Sequence, residues 1–326
     1  MIGTVKDIKL ILPIRIASDI KPHLQNVPLN VSVVHLDTDG MPDGDISDAD
    51  AMIRWWTPKD MLRRVLNEAP VLRWIHTPSA GIDGIVIPEL LERPITLTNA
   101  AGAHAIPIAE FVLMFMLRHV KRTQELFALT PENAWEQSRH LHLSELHGKT
   151  LLILGLGGIG QEIARRASPF GMRVLGSRRR PQPMDGVEQV VGKDGWRDLL
   201  QEADYVVIAT PLTEATRGMV DTAAFARMKP EAYLINIARG EIIDTQALLD
   251  SLHQGRIAGA ALDALPEEPL PPTHPLWQAP NVWITPHISW SSPHMRQRVL
   301  VTFLENLRRF GSNEPLINVV DMAAGY

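Results

Sequence analysis

The chain has 326 residues, of which 45% are hydrophobic and 21% are charged, and its formal net charge at pH 7 is −5. This is the composition of a folded globular protein, and the length indicates two domains, since one domain averages about 150 residues. The negative charge gives no general attraction to nucleic acid or anionic membranes, and the absence of cysteine excludes disulfides, thiolate metal sites and a cysteine nucleophile.

The N-terminal residues favour a β-strand over a signal peptide. Lys6, Asp7, Lys9 and Arg15 interrupt the apolar residues, and no cleavage pattern of small residues is present. The longest apolar stretch, near 111–117, is much shorter than the roughly 18 residues of a membrane span. We therefore expect a cytoplasmic protein with no membrane and no nucleic-acid partner.

The first hundred residues alternate short apolar runs with helical patterns, which predicts a small α/β unit. The predicted strands are Lys9–Ile14, Val31–Leu36, Ala51–Trp56, Leu72–Thr77 and Ile95–Asn99, and the predicted helices are Lys59–Glu68 and Pro88–Glu92. A long helix is predicted at Ile106–Phe127. Its N-terminal half is almost wholly apolar, which favours an element packed between two domains, so we place the domain crossing there.

From residue 149 onward, nearly all-apolar strands alternate with helices, which predicts a parallel sheet covered on both faces. The predicted strands are Thr150–Leu154, Arg173–Ser177, Tyr205–Thr210, Tyr233–Ala238, Ile257–Ala264 and Val282–Thr285, and the predicted helices are Ile159–Phe170, Gly195–Glu202, Thr222–Met228 and Thr245–Gln254. A last helix over Pro293–Phe310 predicts a return to the first domain. The predicted domains are thus 1–105 with about 294–326, and 106–293.

A glycine-rich motif follows the strand Thr150–Leu154 directly and opens a helix. In this context glycines allow a tight turn, a close approach of the backbone to pyrophosphate, and close packing of helix on strand. The N-terminus of the helix stabilises negative charge. The order of strand, motif, helix and strand predicts a dinucleotide-binding, Rossmann-type fold. The candidate residues are Gly155, Gly157, Gly158, Ile159 and Gly160.

The next strand ends in Ser177-Arg178-Arg179-Arg180. An NAD-binding protein would carry an acidic residue here for the ribose hydroxyls, and that carboxylate would repel a 2′-phosphate. A serine hydroxyl and guanidinium groups would bind the phosphate instead. We therefore predict Ser177, Arg178 and Arg179 as cofactor-binding residues with NADP(H) preferred and NAD(H) as the second cofactor. The alternative is a solvated basic loop.

Three polar residues lie beyond the predicted late strands, where open α/β sheets bind ligands. Reduction of a 2-oxo acid needs a cation for the carboxylate, a general acid, and a group that keeps this acid protonated. Arg239, His287 and Glu268 match these needs, because a carboxylate beside histidine raises the histidine pKa. Taken singly, each residue has an ordinary alternative role: Arg239 as a helix cap, His287 as a structural histidine, and Glu268 as a solvated glutamate.

Together these segments resemble the D-isomer-specific 2-hydroxyacid dehydrogenases. The segments are Gly155–Gly160, Asn236-Ile-Ala-Arg239-Gly240, Leu262-Asp263, Glu267-Glu268-Pro269-Leu270 and Thr285-Pro-His287-Ile288, in the order and spacing of that family. The resemblance implies that Arg239 binds the substrate carboxylate and carbonyl, that His287 is the acid/base, and that Glu268 pairs with His287. It implies cofactor contacts for Asp263, which would hold the nicotinamide carboxamide, and for Thr210, Pro211, Ile237 and Ala238. Formate dehydrogenases of this fold typically have glutamine in place of Glu268, so the glutamate favours hydroxyacid chemistry.

In the first domain, the resemblance implies a substrate loop at Ser79-Ala80-Gly81-Ile82-Asp83, whose backbone N–H groups receive the carboxylate. Two departures from the family pattern involve tryptophan. Trp290 replaces a small residue after the histidine, and Trp55-Trp56 lies where some glyoxylate and hydroxypyruvate reductases have a cleft tryptophan. We predict Trp55 and Trp290 as walls for a small substrate, with core packing as the alternative. Ala264-Leu265-Pro266 also departs from the family pattern.

The predicted function is reduction of a small 2-oxo acid, such as glyoxylate or hydroxypyruvate, by NADPH to a D-2-hydroxy acid. The alternatives are an NAD-linked dehydrogenase of a larger D-2-hydroxy acid and a cofactor-sensing corepressor of related fold. The family resemblance also implies a homodimer. His140, His142 and His147 form a cluster in a polar connector, but no carboxylate is suitably spaced and the predicted chemistry needs no metal.

Overall fold

A computed structural model describes residues 6–82 and 84–322 of the chain. Asp83, the last residue of the predicted substrate loop, lies outside the described residues. The structure separates into two units, Met1–His104 with Ser292–Tyr326, and Ala105–Ser291.

The first unit is built on a five-stranded sheet in the order β2-β1-β3-β4-β5, in which all neighbouring strands are parallel. Its strands are β1 (Asp7–Pro13), β2 (Asn30–Leu36), β3 (Ala51–Ile53), β4 (Trp74–Thr77) and β5 (Thr96–Asn99), and its first helices are α1 (Ala17–Leu24), α2 (Lys59–Glu68) and α3 (Pro88–Leu91). Apolar side chains of α2 and of the sheet form one buried cluster.

The second unit contains a seven-stranded parallel sheet in the order β12-β11-β10-β9-β6-β7-β8. Its strands are β6 (Thr150–Leu154), β7 (Arg173–Ser177), β8 (Gln189–Val191), β9 (Tyr205–Ile208), β10 (Tyr233–Asn236), β11 (Gly259–Leu262) and β12 (Val282–Ile284). Its helices are α4 (Ala105–Val120), α5 (Thr123–Phe127), α6 (Ala134–Gln137), α7 (Gly158–Ala167), α8 (Trp196–Leu199), α9 (Thr222–Phe225) and α10 (Thr245–His253). An apolar cluster covers each face of this sheet, which makes it a doubly wound α/β fold and confirms the predicted fold class.

A final helix, α11 (Met295–Gly311), belongs to the first unit. Phe303 of this helix stacks on Trp74 of β4, with ring centroids 5.5 Å apart. Single 3₁₀ turns complete the described elements, at Ile14–Ile16, Ser138–His140, Ser168–Phe170, Leu200–Glu202, Gly240–Ile242 and Pro275–Gln278.

The long helix predicted at Ile106–Phe127 is interrupted in the structure. It ends at Val120, and Arg122 adopts a left-handed backbone conformation with φ 44° before a short second helix begins. Val120 is also the last residue of this helix that belongs to the buried cluster. Beyond it no apolar face holds the helix against the core, and packing of that face is what stabilises most helices.

Several strands are shorter than predicted. The strand predicted to reach Trp56 ends at Ile53, and Trp56 has a positive φ of 54° that no strand residue adopts. The strand β8 and the helices α1 and α6 were not predicted. Within the described residues, no helix is both long and apolar enough to cross a membrane.

Candidate active site

The glycine loop joins β6 to α7 at the carboxyl edge of the second sheet. Gly155 has a φ of 106°, and a Cβ on it would lie 2.7 Å from the carbonyl oxygen of Ala209. A Cβ on Gly160 would collide with the carbonyl oxygen of Gly155. These two glycines are therefore required by the turn and by the packing of helix on strand.

Gly157 has no such requirement from the protein. A Cβ on it would meet no heavy atom within 4 Å, and its φ of −81° is open to any residue. It is the N-cap of α7, and no side chain caps the helix there. The open space and the uncapped N–H groups at Gly158 and Ile159 fit a pyrophosphate held against the backbone, as a bound dinucleotide would place it.

The basic loop lies beside the glycine loop. The carbonyl oxygen of Ser177 at the end of β7 accepts hydrogen bonds from the backbone N–H groups of Gly155 (3.1 Å) and Leu156 (2.9 Å). Ser177 is buried, whereas Arg178 is half-buried and Arg179 is exposed. Arg178, the first arginine of the basic loop, is thus the residue next to Ser177, whose carbonyl group closes the glycine turn. Thr210 and Pro211 follow β9, and Thr210 lies directly against Gly155.

Arg239 follows β10 in a loop held by a buried amide. The side chain of Asn236 donates to the carbonyl oxygen of Arg239 (2.8 Å) and accepts from the N–H of Ala238 (3.1 Å). A Cβ on Gly240 would collide with the backbone of Leu265, so the loop that carries Arg239 packs directly on the loop that carries Glu268. Asn236 lies within the motif Asn236-Ile-Ala-Arg239-Gly240, and no role was predicted for it.

Glu268 and His287 form a hydrogen-bonded pair. Glu268 follows β11 and His287 follows the neighbouring strand β12, and Oε2 of Glu268 lies 2.8 Å from Nδ1 of His287. The other carboxylate oxygen accepts from the N–H of Leu265 (3.0 Å). The two side chains are 38% and 34% exposed. Because Nδ1 faces the carboxylate, Nε2 is the nitrogen left to exchange a proton with a ligand.

Asp263 is fully buried, and its contacts organise the histidine loop. Oδ1 accepts from the hydroxyl of Thr285 (2.7 Å) and the N–H of Ile288 (2.9 Å), and Oδ2 accepts from the N–H of Ser289 (3.0 Å). These bonds fix the chain on both sides of His287. The cofactor contact predicted for Asp263 is a separate role, and it stays a prediction.

In the first unit, side chains hold the carbonyl groups of the predicted substrate loop. His104 contacts the carbonyl oxygen of Pro78 (2.8 Å), Asn99 donates to that of Ala80 (2.9 Å), and Ser79 donates to that of Gly81 (2.8 Å). Within the described residues, the N–H groups of residues 79–81 donate to no protein acceptor. A loop of this kind can receive a carboxylate.

The tryptophans differ in exposure. Trp55 is 6% exposed, with the guanidinium of Arg296 5.9 Å from its ring centroid, while Trp56 is 46% exposed. This burial favours the packing alternative for Trp55. The indole N–H of Trp290 donates to the carbonyl oxygen of His287 (2.7 Å), a contact that the sequence did not predict.

The histidine cluster of the connector was considered above as a metal site. His140, His142 and His147 are all exposed. In the part of the chain that the structure describes, no group of three or more histidine, aspartate or glutamate side chains is placed to hold a metal ion.

Sequence comparison identifies the second unit. Residues 113–289 match the family model described as D-isomer specific 2-hydroxyacid dehydrogenase, NAD binding domain. A glyoxylate reductase of Thermofilum pendens is 37% identical over 288 residues, which cover 84% of this chain and 84% of that protein.

Two solved structures resemble nearly the whole chain. The NADPH-dependent glyoxylate/hydroxypyruvate reductase of Sinorhizobium meliloti, solved with NADP and sulfate, is 28% identical with a TM-score of 0.82 and covers 99% of this chain and 100% of its own. A D-isomer specific 2-hydroxyacid dehydrogenase of Xanthobacter autotrophicus, solved with NADPH and MES, is 28% identical with a TM-score of 0.80 and covers 98% and 99%.

Proposed function

The chain belongs to the D-isomer-specific 2-hydroxyacid dehydrogenase family, and on this premise we propose that it reduces a small 2-oxo acid of the glyoxylate or hydroxypyruvate type to the D-2-hydroxy acid, with NADPH preferred. It is an oxidoreductase that uses a nicotinamide cofactor. The observation that carries the proposal is the pair of Glu268 and His287, 2.8 Å apart at the carboxyl edge of the second sheet.

His287 is the general acid. Glu268 holds Nδ1, so Nε2 donates the proton to the carbonyl oxygen of the oxo acid. The carboxylate stabilises the imidazolium form that carries this proton. The glutamate is itself fixed by the N–H of Leu265, so the ring direction is set before the substrate arrives.

Arg239 supplies the positive charge. Its guanidinium binds the substrate carboxylate and stabilises the negative charge that develops on the carbonyl oxygen. The buried amide of Asn236 fixes the backbone that carries it. The N–H groups of Ser79, Ala80 and Gly81 bind the substrate carboxylate from the first unit.

The cofactor is held by the glycine loop and by residues of the neighbouring loops. Gly155, Gly157, Gly158, Ile159 and Gly160 receive the pyrophosphate, and Ser177, Arg178 and Arg179 bind the 2′-phosphate of NADPH. The remaining contacts are made by Thr210, Pro211, Ile237, Ala238 and Asp263. The chemistry that bound NADPH supplies is hydride transfer to C2 of the oxo acid.

Each domain has one main role in this proposal. Residues 106–293 bind the dinucleotide, and residues 1–105 with about 294–326 bind the substrate. Trp290 and Trp55 were predicted as substrate walls, and the burial of Trp55 argues that it packs in the core instead. A cytoplasmic location and a homodimer remain predictions.

The test is initial-rate reduction of glyoxylate, hydroxypyruvate, pyruvate and phenylpyruvate with NADPH and with NADH. We expect turnover of glyoxylate and hydroxypyruvate with NADPH, and D-glycerate as the product from hydroxypyruvate. Preferential turnover of phenylpyruvate with NADH would replace this proposal by a dehydrogenase of larger hydroxy acids. Cofactor binding without turnover of any acid would contradict enzymatic function and favour a cofactor sensor.

A further inference from the structure

His287 has an unusual backbone conformation for a residue with a side chain. Its φ is 51°, in the left-handed region that costs energy for any residue other than glycine. Such a conformation persists only where the surroundings hold it. The direction of the imidazole depends on this backbone, since the side chain leaves from its Cα.

The N–H of His287 donates to the carbonyl oxygen of Thr285 (3.0 Å), and the bonds from Asp263 hold the residues around it. The bonds from Asp263 end on Thr285, Ile288 and Ser289. The peptide that follows His287 is held at both ends, since its N–H, on Ile288, donates to Asp263 (2.9 Å) and its carbonyl oxygen, on His287, accepts from the indole N–H of Trp290 (2.7 Å). The two bonds together set the plane of this peptide and therefore the second backbone torsion of His287.

The indole is itself anchored away from the loop. Its ring packs on the buried cluster that contains apolar residues of α4, β6 and β10. The position of the N–H is thus set by the core of the second unit. Glycine or alanine at this position would offer no side-chain donor to the carbonyl group.

We propose that Trp290 is a positioning residue, which together with Asp263 holds the backbone of His287 in its left-handed conformation and so directs the imidazole toward Glu268. This role differs from the substrate wall predicted from the sequence. It rests on the proposed function of His287 as the general acid. The ligand-facing nitrogen, Nε2, is placed by the same bond because the ring is rigid.

The experiment removes the N–H donor and keeps the ring. We would replace Trp290 by 3-benzothienylalanine, in which sulfur stands in place of the indole N–H, and compare it with Trp290→Phe. Trp283→Phe is the matched control. Trp283 packs on the same cluster, and within the described residues its indole N–H makes no hydrogen bond.

With glyoxylate and NADPH, we expect both changes at 290 to lower kcat about fivefold, the usual effect of one lost hydrogen bond. The dissociation constant of NADPH should stay within twofold, and the solvent deuterium isotope effect on kcat should increase because proton transfer becomes slower. Trp283→Phe should keep kcat and the isotope effect even where it lowers Tm. Wild-type kcat in the benzothienyl protein, or equal losses in all three proteins, would overturn the proposal.

A second readout does not depend on turnover. In protein with ¹⁵N-labelled histidine, the proton shared by Nδ1 of His287 and Glu268 should give a downfield signal, identified by its loss in Glu268→Ala. We expect this signal to shift or broaden in the benzothienyl protein and to be unchanged in Trp283→Phe. An unchanged signal at both positions would contradict positioning by Trp290. If the wild type reduces no 2-oxo acid while the signal responds as expected, the proposed function fails and the positioning role stands.

Discussion

At the residue scale, Glu268 makes one bond with each carboxylate oxygen. Oε1 ties it to the backbone of Leu265, and Oε2 faces the imidazole of His287. The first bond needs only an acceptor, whereas the second stabilises a positive charge on the ring. A single substitution can separate these two roles.

Glu268→Gln keeps an oxygen for the N–H of Leu265 but removes the negative charge. Hydrogen bonds to charged groups contribute about 1.5–3 kcal/mol, so we expect kcat/KM at neutral pH to fall roughly 10- to 100-fold with little change in Tm. Steady-state rates and thermal unfolding measure both effects. Glu267→Gln, at the exposed neighbour, should leave both unchanged. Equal losses in the two variants would argue that the Glu268 charge has no special role.

Residue types and spacing were enough to nominate Arg239, Glu268 and His287, because the chemistry of the reaction demands those side chains. They were not enough to find the bonds that place them. Asn236 and Asp263 act through backbone groups several residues away, and such contacts depend on the loop geometry, which the sequence pattern does not encode. The pairing of Glu268 with His287 was expected only from the family resemblance.

At the element scale, the loop between β6 and α7 contains glycines with different physical roles. Gly160 is packed against the backbone of Gly155, whereas Gly157 faces open space. The two positions therefore separate the needs of folding from those of ligand binding.

Gly157→Ala should leave Tm unchanged or slightly raised, since the added methyl meets no protein atom and alanine is the less flexible residue in the unfolded chain. The same methyl would occupy the space expected for the pyrophosphate, so we expect the dissociation constant of NADPH to rise at least about tenfold. Gly160→Ala should instead lower Tm sharply. Thermal unfolding and cofactor titration distinguish the two, and unchanged affinity in Gly157→Ala would place the cofactor elsewhere.

The basic loop after β7 predicts the cofactor preference. Loss of one charge-assisted hydrogen bond corresponds to about 1.5–3 kcal/mol, so Arg178→Ala or Arg179→Ala should raise KM for NADPH roughly 10- to 100-fold and leave KM for NADH nearly unchanged. Arg165→Ala is the control, because Arg165 is an exposed arginine of the same unit that pairs with Glu162. A solvated basic loop would give equal, small effects on both cofactors.

Most elements of the second unit were predicted, and β6 and β7 have the predicted bounds. Its central strands are apolar on both faces, so composition alone identifies them. β8 was missed because it has only three residues and begins with Gln189, so its apolar run is limited to Val190 and Val191. α1 was missed because Pro22 lies within it and its apolar residues are few.

At the scale of the whole molecule, we expect stability to depend on pH through a buried histidine of the first unit. His76 on β4 is fully buried and contacts the Trp74 and Phe303 rings, and its Nδ1 lies 2.9 Å from the hydroxyl of Thr98. Burial lowers the pKa of His76 to about 3. The unfolded chain, with an ordinary histidine pKa near 6.5, therefore binds this proton more readily than the folded chain.

Because of this difference in proton binding, the contribution of His76 to stability decreases as the pH falls. The contribution of neutral His76 is fully present above about pH 6.5 and is lost as the pH falls toward 3, with a total on the order of a few kcal/mol. We expect the free energy of unfolding to fall across this range in the wild type and to fall less steeply in His76→Gln. His140→Gln, at an exposed histidine, should keep the wild-type slope. Identical slopes in all three proteins would show that His76 does not govern acid stability.

We propose above all that His287 delivers the proton in an NADPH-dependent reduction of a 2-oxo acid. The most direct test is glyoxylate reduction by wild type and by His287→Ala at saturating NADPH, with cofactor affinity measured on the same samples. We predict that kcat of the variant falls by at least about 100-fold, the contribution of a general acid, while the dissociation constant of NADPH stays within a few-fold of wild type. A variant that binds NADPH and turns over glyoxylate at the wild-type rate would contradict the account.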